Sequence, residues 1–283
     1  MLQQVALVSQ APSIPLEEAV KVSAAVQKQA SRDFSPLWQV SATVDAFGTL
    51  EDVPLGYWPV IVRDDVIEKF EAAGIHLDDS GQPFALVQAS SNWPLTASHE
   101  VLEMLADPFG ERLVAGDAPT QATGQQRVEY LVEVCDPSES QEFAYRVNDV
   151  LVSDFYTPRF FDPIASSGVQ YSFRGVINRP RDILRGGYLS WHNPVDDHWY
   201  QLRWFNTPAP VLADLGVFET STMSTREWID QRTLTPLMSQ QSAVRVEPRV
   251  MFAAMAPEAG TARSAGSRAA QLQKQIASLL RKA

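Results

Sequence analysis

Apolar residues recur along the chain in two rhythms. In LEEAVKVSAAVQKQA (16 to 30), Ala19, Val22 and Val26 fall at helical spacing, which predicts a first helix that stops before Pro36. WQVSATVDAF (38 to 47) alternates Val40, Ala42 and Val44 in strand fashion, and the apolar run YWPVIV (57 to 62) predicts a second strand. A helix-like DDVIEKFEAAG (64 to 74) and a turn at DDSGQP (78 to 83) lead into a third strand, FALVQAS (84 to 90). A further helix is expected from Thr96 as N-cap to a stop before Pro108 and Gly110. The order to residue 110 is thus helix, strand, strand, helix, strand, helix, an α/β arrangement.

Residues 128 to 205 read differently: RVEYLVEVCDP, AYRVNDVLVSDFYTP, GVQYSFRGVI and HWYQLRWF are short β-like runs separated by Asn-Asp, Pro and Gly signals. PEAGTARSAGSR (257 to 268) has the small, polar, aperiodic composition of a linker. Beyond it AAQLQKQIASLLRKA places Leu272, Ile276 and Leu279 on one face of a short, locally basic helix, expected to dock on the body or on a protein partner. The expected organisation is 1–110, an α/β half, 111–256, a β-rich half, and 257–283, linker and terminal helix.

Composition narrows the function. With 45% hydrophobic residues the chain is long enough for a sizeable core, and a net charge of -11 with thinly spread basic residues argues against nucleic acid as a partner. No stretch approaches the roughly 20 apolar residues of a membrane span. Cys135, the single cysteine, cannot form an internal disulfide, and MLQQVALVSQAPSIP lacks a basic region followed by a long apolar one, so the cytoplasm is the expected compartment.

Histidine is scarce, with 4 in the chain, which draws attention to TASHEVLEMLADPFG. On a helix His99 and Glu103 share a face, Glu100 flanks them, and Val101, Leu102 and Leu105 cover the far side. An imidazole and a carboxylate four residues apart reach one divalent ion, and the residue after the histidine is placed to work on a water beside it. That is the mechanical content of the His-Glu-x-x-His zinc helix, with Glu103 standing for the second histidine. A solvated helix face is the ordinary alternative. A second acidic group follows in RVEYLVEVCDP, where Glu129 and Glu133 point together on either a strand or a helix. A buried pair of carboxylates calls for a cation or a proton, whereas a solvated acidic strand face does not.

TASHEVLEMLADPFG with VEVCDP and VNDVLVSDFYTPRFFDP resembles a group of uncharacterised bacterial zincin-like proteins, and more distantly the Exordium-like, phosphate-induced proteins. The likeness spans about residues 30 to 205. It implies a zincin-like fold with the metal helix after a mixed sheet and a β-rich second half. It also implies zinc held by His99, Glu103 and Glu133, with Glu100 as general base. The function so expected is that of a zinc-dependent peptidase or amide hydrolase acting on a peptide or protein. The alternative is a non-catalytic protein that keeps the fold for structure or binding. LSWHNPVDDHWYQLRW is read as a β-hairpin turning at NPVDD, Cys135 as a core residue, and FYTPRFFDP as a packed loop in which Tyr156 is the residue placed to line a cleft.

Overall fold

The computed structural model describes residues 2–70, 72–79, 81–219 and 223–238, with Ala270, Gln273, Lys274 and Ala277. The chain is a mixed α/β protein. Strand β1 (Leu2–Ser9) is followed by α1 (Leu16–Lys28), a π-helical stretch Gln29–Phe34, α2 (Ser35–Trp38), β2 (Ser41–Phe47) and β3 (Trp58–Arg63). Helix α3 (Val66–Phe70) leads to β4 (Gly74–Asp79), β5 (Gln82–Gln88) and α4 (Trp93–Ala106). These strands form one sheet in the order β2-β1-β3-β5-β4, parallel except for β4, which runs antiparallel to β5.

Both faces of this sheet are covered. Val5 and Leu7 of β1, with Val60, Val62, Ala85 and Val87, meet α1 and α4, while Ala6, Val8, Ile61, Phe84 and Leu86 form a second core with Ile75 and Leu77 on the other side. A strand buried on both faces carries an unbroken apolar run rather than an alternation. β1, β3 and β5 all have this pattern, and β1 is a strand beyond those expected from the sequence. The edge strand β4 was likewise unassigned, its first residue having been joined to the helix expected over 64–74.

Two helix boundaries also move. The first helical region does not stop before Pro36 but runs through the π turn into α2, whose first turn holds Pro36. The chain then leaves through Gln39 in the left-handed region at φ 57°. Helix α4 begins at Trp93, three residues before Thr96, with Asn92 at its cap and Pro94 in the first turn.

The second half supplies β6 (Leu113–Asp117), β7 (Arg127–Leu131), the two-stranded pair β8 (Tyr145–Val147) and β9 (Val150–Val152), then β10 (Tyr188–Asn193), β11 (His198–Arg203), β12 (Val211–Val217) and α5 (Thr225–Met238). The antiparallel sheet has the order β12-β11-β10-β7-β6. Trp228 and Ile229 of α5 pack on Leu131 and Trp199, which docks the helix on that sheet. Among the described residues no helix is long and apolar enough to cross a membrane. The amphipathic helix expected at the C-terminus, with Leu272, Ile276 and Leu279, lies outside the described residues apart from the four named above.

Candidate metal centre

Helix α4 is buried on nearly every side, so the acids of HEVLE are not a solvated face: Glu100 is 2% exposed and Glu103 is fully buried. His99 Nε2 lies 3.2 Å from Glu103 Oε1, one turn along the helix. It lies equally far, 3.2 Å, from Asp136 Oδ1, which enters from the loop after β7. Among the described residues neither oxygen of Asp136 has an aligned hydrogen-bond donor. The backbone N–H of Cys135 donates to Glu103 Oε1 at 3.2 Å, tying that loop to the helix.

The loop is held from outside by the chain entering β10. A Cβ on Gly187 would stand 2.5 Å from Pro137 O and 2.6 Å from Asp136 O, so only glycine lets the chain approach the carbonyls that carry Asp136. Gly187→Ala is expected to destabilise the protein by about 1–3 kcal/mol, since backbone must shift to admit the methyl group. Chemical denaturation of the two proteins measures this, and equal midpoints would show that the loop gives way freely.

Behind Glu103 sits a buried cation from α5. Arg226 Nη1 donates to Glu103 Oε2 at 3.1 Å, pairs with Glu133 and lies 3.9 Å from Asp136 Oδ2, while its Nε pairs with Asp230 at 3.1 Å. Glu103 and Asp136 therefore each turn one oxygen toward His99 and the other toward Arg226. His76 of β4 approaches the same acids, its Nδ1 3.5 Å from Glu100 Oε2 and 3.7 Å from Glu103 Oε2, the oxygen that Arg226 also faces.

Six carboxyl groups (Glu100, Glu103, Glu133, Asp136, Glu139 and Asp230) thus cluster around one guanidinium and two imidazoles. Even with both imidazoles charged, the six carboxyls outnumber these three cations by three. The proton affinities show how the protein alone meets this excess. Burial works to lower the His99 imidazole, but the charge of Glu103 and the adjacent Asp136 outweigh it and hold His99 well above its usual range. Burial likewise favours a neutral Glu103, yet His99 and Arg226 keep it well below the usual carboxylate range. Asp136 is pushed well up by burial and by Glu103, and Glu139 is pushed up to about 8, chiefly by burial. Protons are stored where a cation is missing.

The cluster opens onto a cavity of about 670 Å3 whose wall includes Gly74, Thr96, His99, Glu100, Glu139 and Tyr188. Four overlapping groups of side chains place ligand atoms close enough to share an ion: His99 with Glu103 and Cys135, His76 with Glu100 and Glu103, His99 with Asp136 and Glu139, and Glu103 with Glu133 and Asp136.

The expected residues are distributed unevenly over this geometry. His99, Glu100 and Glu103 come together on α4. Glu133 is buried beside them with its carboxylate against Arg226, whereas Asp136 is the acid facing His99. Glu129 and Glu133 do not point together, because β7 ends at Leu131 and the chain turns: Glu129 faces His192 at 3.0 Å, whereas Glu133 lies beyond the strand against Arg226. His192 is braced at its second nitrogen by Asp197 at 3.0 Å, in the hairpin turn between β10 and β11. Cys135 is a buried free thiol, raised by burial, that contacts His99 O at 3.8 Å. Tyr156 is fully buried among Trp38, Phe160 and Phe161 and is not part of this cavity's wall.

Asp136, His76, Glu139, Arg226 and Asp230 were not foreseen. His76 had a signal, since a histidine between Ile75 and Leu77 alternates onto the face opposite two apolar residues. Asp136 had a weaker one, an acid directly after the cysteine of VEVCDP. Arg226 had none that local pattern reveals. Searches of family models, curated proteins and solved structures find no match to this chain, so its site is interpreted from its own geometry.

Proposed function

We propose that the chain is a zinc-dependent hydrolase of peptide or amide bonds with a zincin-like arrangement, in which an antiparallel edge strand borders the helix bearing His-Glu-x-x-Glu. The observation that carries this reading is the double approach to His99 Nε2, 3.2 Å from each of two carboxylate oxygens. Ligands at about 2.0 Å from a tetrahedral ion stand about 3.3 Å from one another, and the separations of His99 from Glu103 and from Asp136 match that spacing. Asp136 takes the place expected of Glu133, which Arg226 holds beside the trio.

Zinc bound there supplies a Lewis acid that polarises the scissile carbonyl and acidifies water. Glu100, on the cavity wall next to His99, takes the proton of the attacking water and passes it to the nitrogen of the leaving amine as the C–N bond breaks. Arg226 keeps the outer oxygens of Glu103 and Asp136 oriented, the service that outer partners give to ligand carboxylates. With an anionic Glu103 in place of a second imidazole the ion is less electrophilic, and turnover is expected to be slow.

One observation favours a second reading. Arg226 already brings a cation to Glu103 and Glu133, as a protein that keeps the fold only for binding would need. Elemental analysis of protein purified without a metal-affinity tag separates the two. The hydrolase reading expects about one zinc per chain, lost in His99→Ala. Because His99 must give up a proton held above its usual range, zinc should bind more tightly as pH rises through neutrality, with proton release. Protein that takes up no zinc at ~micromolar concentration ends this reading.

A further inference from the structure

We infer that strand β4 aims Glu100: His76 is a positioning residue that holds Glu100 Oε2 from behind, while Gly74, on the same face of the strand, leaves the room that Oε1 needs at the cavity wall. The inference rests on the hydrolase reading, in which Glu100 moves the proton. Glu100 and Glu103 stand three residues apart on α4, both buried. Like charges at that spacing repel, and more strongly without water between them.

Glu103 is anchored by Arg226 and by the backbone of Cys135. Glu100 Oε2 is buried and has no hydrogen-bond partner among the described residues. What faces it is His76 Nδ1 at 3.5 Å, on a ring whose own two nitrogens are buried and without hydrogen bonds. A movement of roughly 0.6 Å turns this contact into a hydrogen bond of ordinary length. Because successive strand residues alternate, His76 and Gly74 share one face. At Gly74 a Cβ would collide with Glu100 Oε1 and stand 2.5 Å from Thr96 Cγ2. The same strand therefore touches both oxygens of one carboxylate, by a ring on one side and by a missing side chain on the other.

The test compares zinc-loaded full-length wild type with His76→Phe, which fills the space without a donor, and His76→Gln, which retains one. The expected result is a fall in kcat of about 10–100-fold in His76→Phe, the range for lost outer partners, with KM and zinc content unchanged and most of kcat restored in His76→Gln. A merely structural role would lower stability without this split and without rescue. Gly74→Ala provides an independent arm should His76→Phe fail to fold, and is expected to lower kcat in the same way.

A readout free of activity is the slowly exchanging His76 ring N–H in proton spectra, assigned by its absence in His76→Gln. It should shift in Glu100→Gln and stay in place in the exposed change Thr120→Ala. Zinc-loaded His76→Phe with kcat within about twofold of wild type, or a His76 resonance indifferent to Glu100→Gln, overturns the inference. A wild type that binds no zinc or hydrolyses nothing overturns the hydrolase reading instead, and the resonance then decides the His76–Glu100 contact by itself.

Discussion

Glu100→Gln should abolish hydrolysis, by at least about 10²–10⁴-fold in kcat, while leaving zinc content and the thermal midpoint close to wild type. The amide keeps the shape of the side chain and loses the oxygen that accepts a proton. Glu103→Gln should do the reverse. Its Oε1 stands toward His99 and its Oε2 toward Arg226, so the neutral amide weakens both the ion and the buried pair, and zinc content and stability fall together. The pair of variants separates base from ligand. If Glu100→Gln loses zinc while Glu103→Gln keeps it, the roles are exchanged; if both keep zinc and neither alters turnover of a broad peptide library, the helix has no catalytic part.

The second large effect belongs to Arg226. Replacing it with methionine preserves much of the volume but leaves Glu103, Glu133 and Asp230 buried with no guanidinium. Removing one member of a buried ion pair costs about 3–5 kcal/mol, because the remaining charge has neither partner nor water. Arg226→Met should therefore lose that much stability in the zinc-free protein at neutral pH. The loss should shrink as pH falls. Glu103 has its folded-state proton affinity depressed, so its contribution is present above the usual carboxylate range and disappears as pH drops through its folded value. Denaturant midpoints of both proteins between neutral and acid pH measure the difference, and a deficit that stays constant would show that packing, not charge, is what Arg226 supplies.

What could be read from the sequence follows from the range of the interactions involved. His99 and Glu103 meet because a helix brings residues four apart together, and that relation is written in HEVLE itself. The hairpin around NPVDD is local in the same sense, and both appear where spacing puts them. Strand β1 carries the same two-sided apolar run as β3 and β5, in VALV (5–8), but sits at the very start of the chain ahead of the first helical rhythm, and that run was not assigned. The fate of Glu133 depended on where β7 ends. One residue more or less of strand reverses the direction of a side chain, and the turn after Leu131 sends Glu129 to His192 and Glu133 to Arg226. The second wall of the centre, with Asp136, His76 and Arg226, is assembled by tertiary packing alone.

That assembly has an implication for synthesis. The contact between Glu103 and Arg226 spans 123 residues, so on a ribosome adding about 5–20 residues per second the helix waits roughly 6–25 s for its guanidinium. During that interval the nascent first half has every strand of its first sheet but only His76 and His99 to face the acids of α4. Full closure of the helix around its acids is thereby expected only once α5 has emerged, and a ribosome stalled between residues 110 and 225 should leave α4 more open to proteases than in the finished protein.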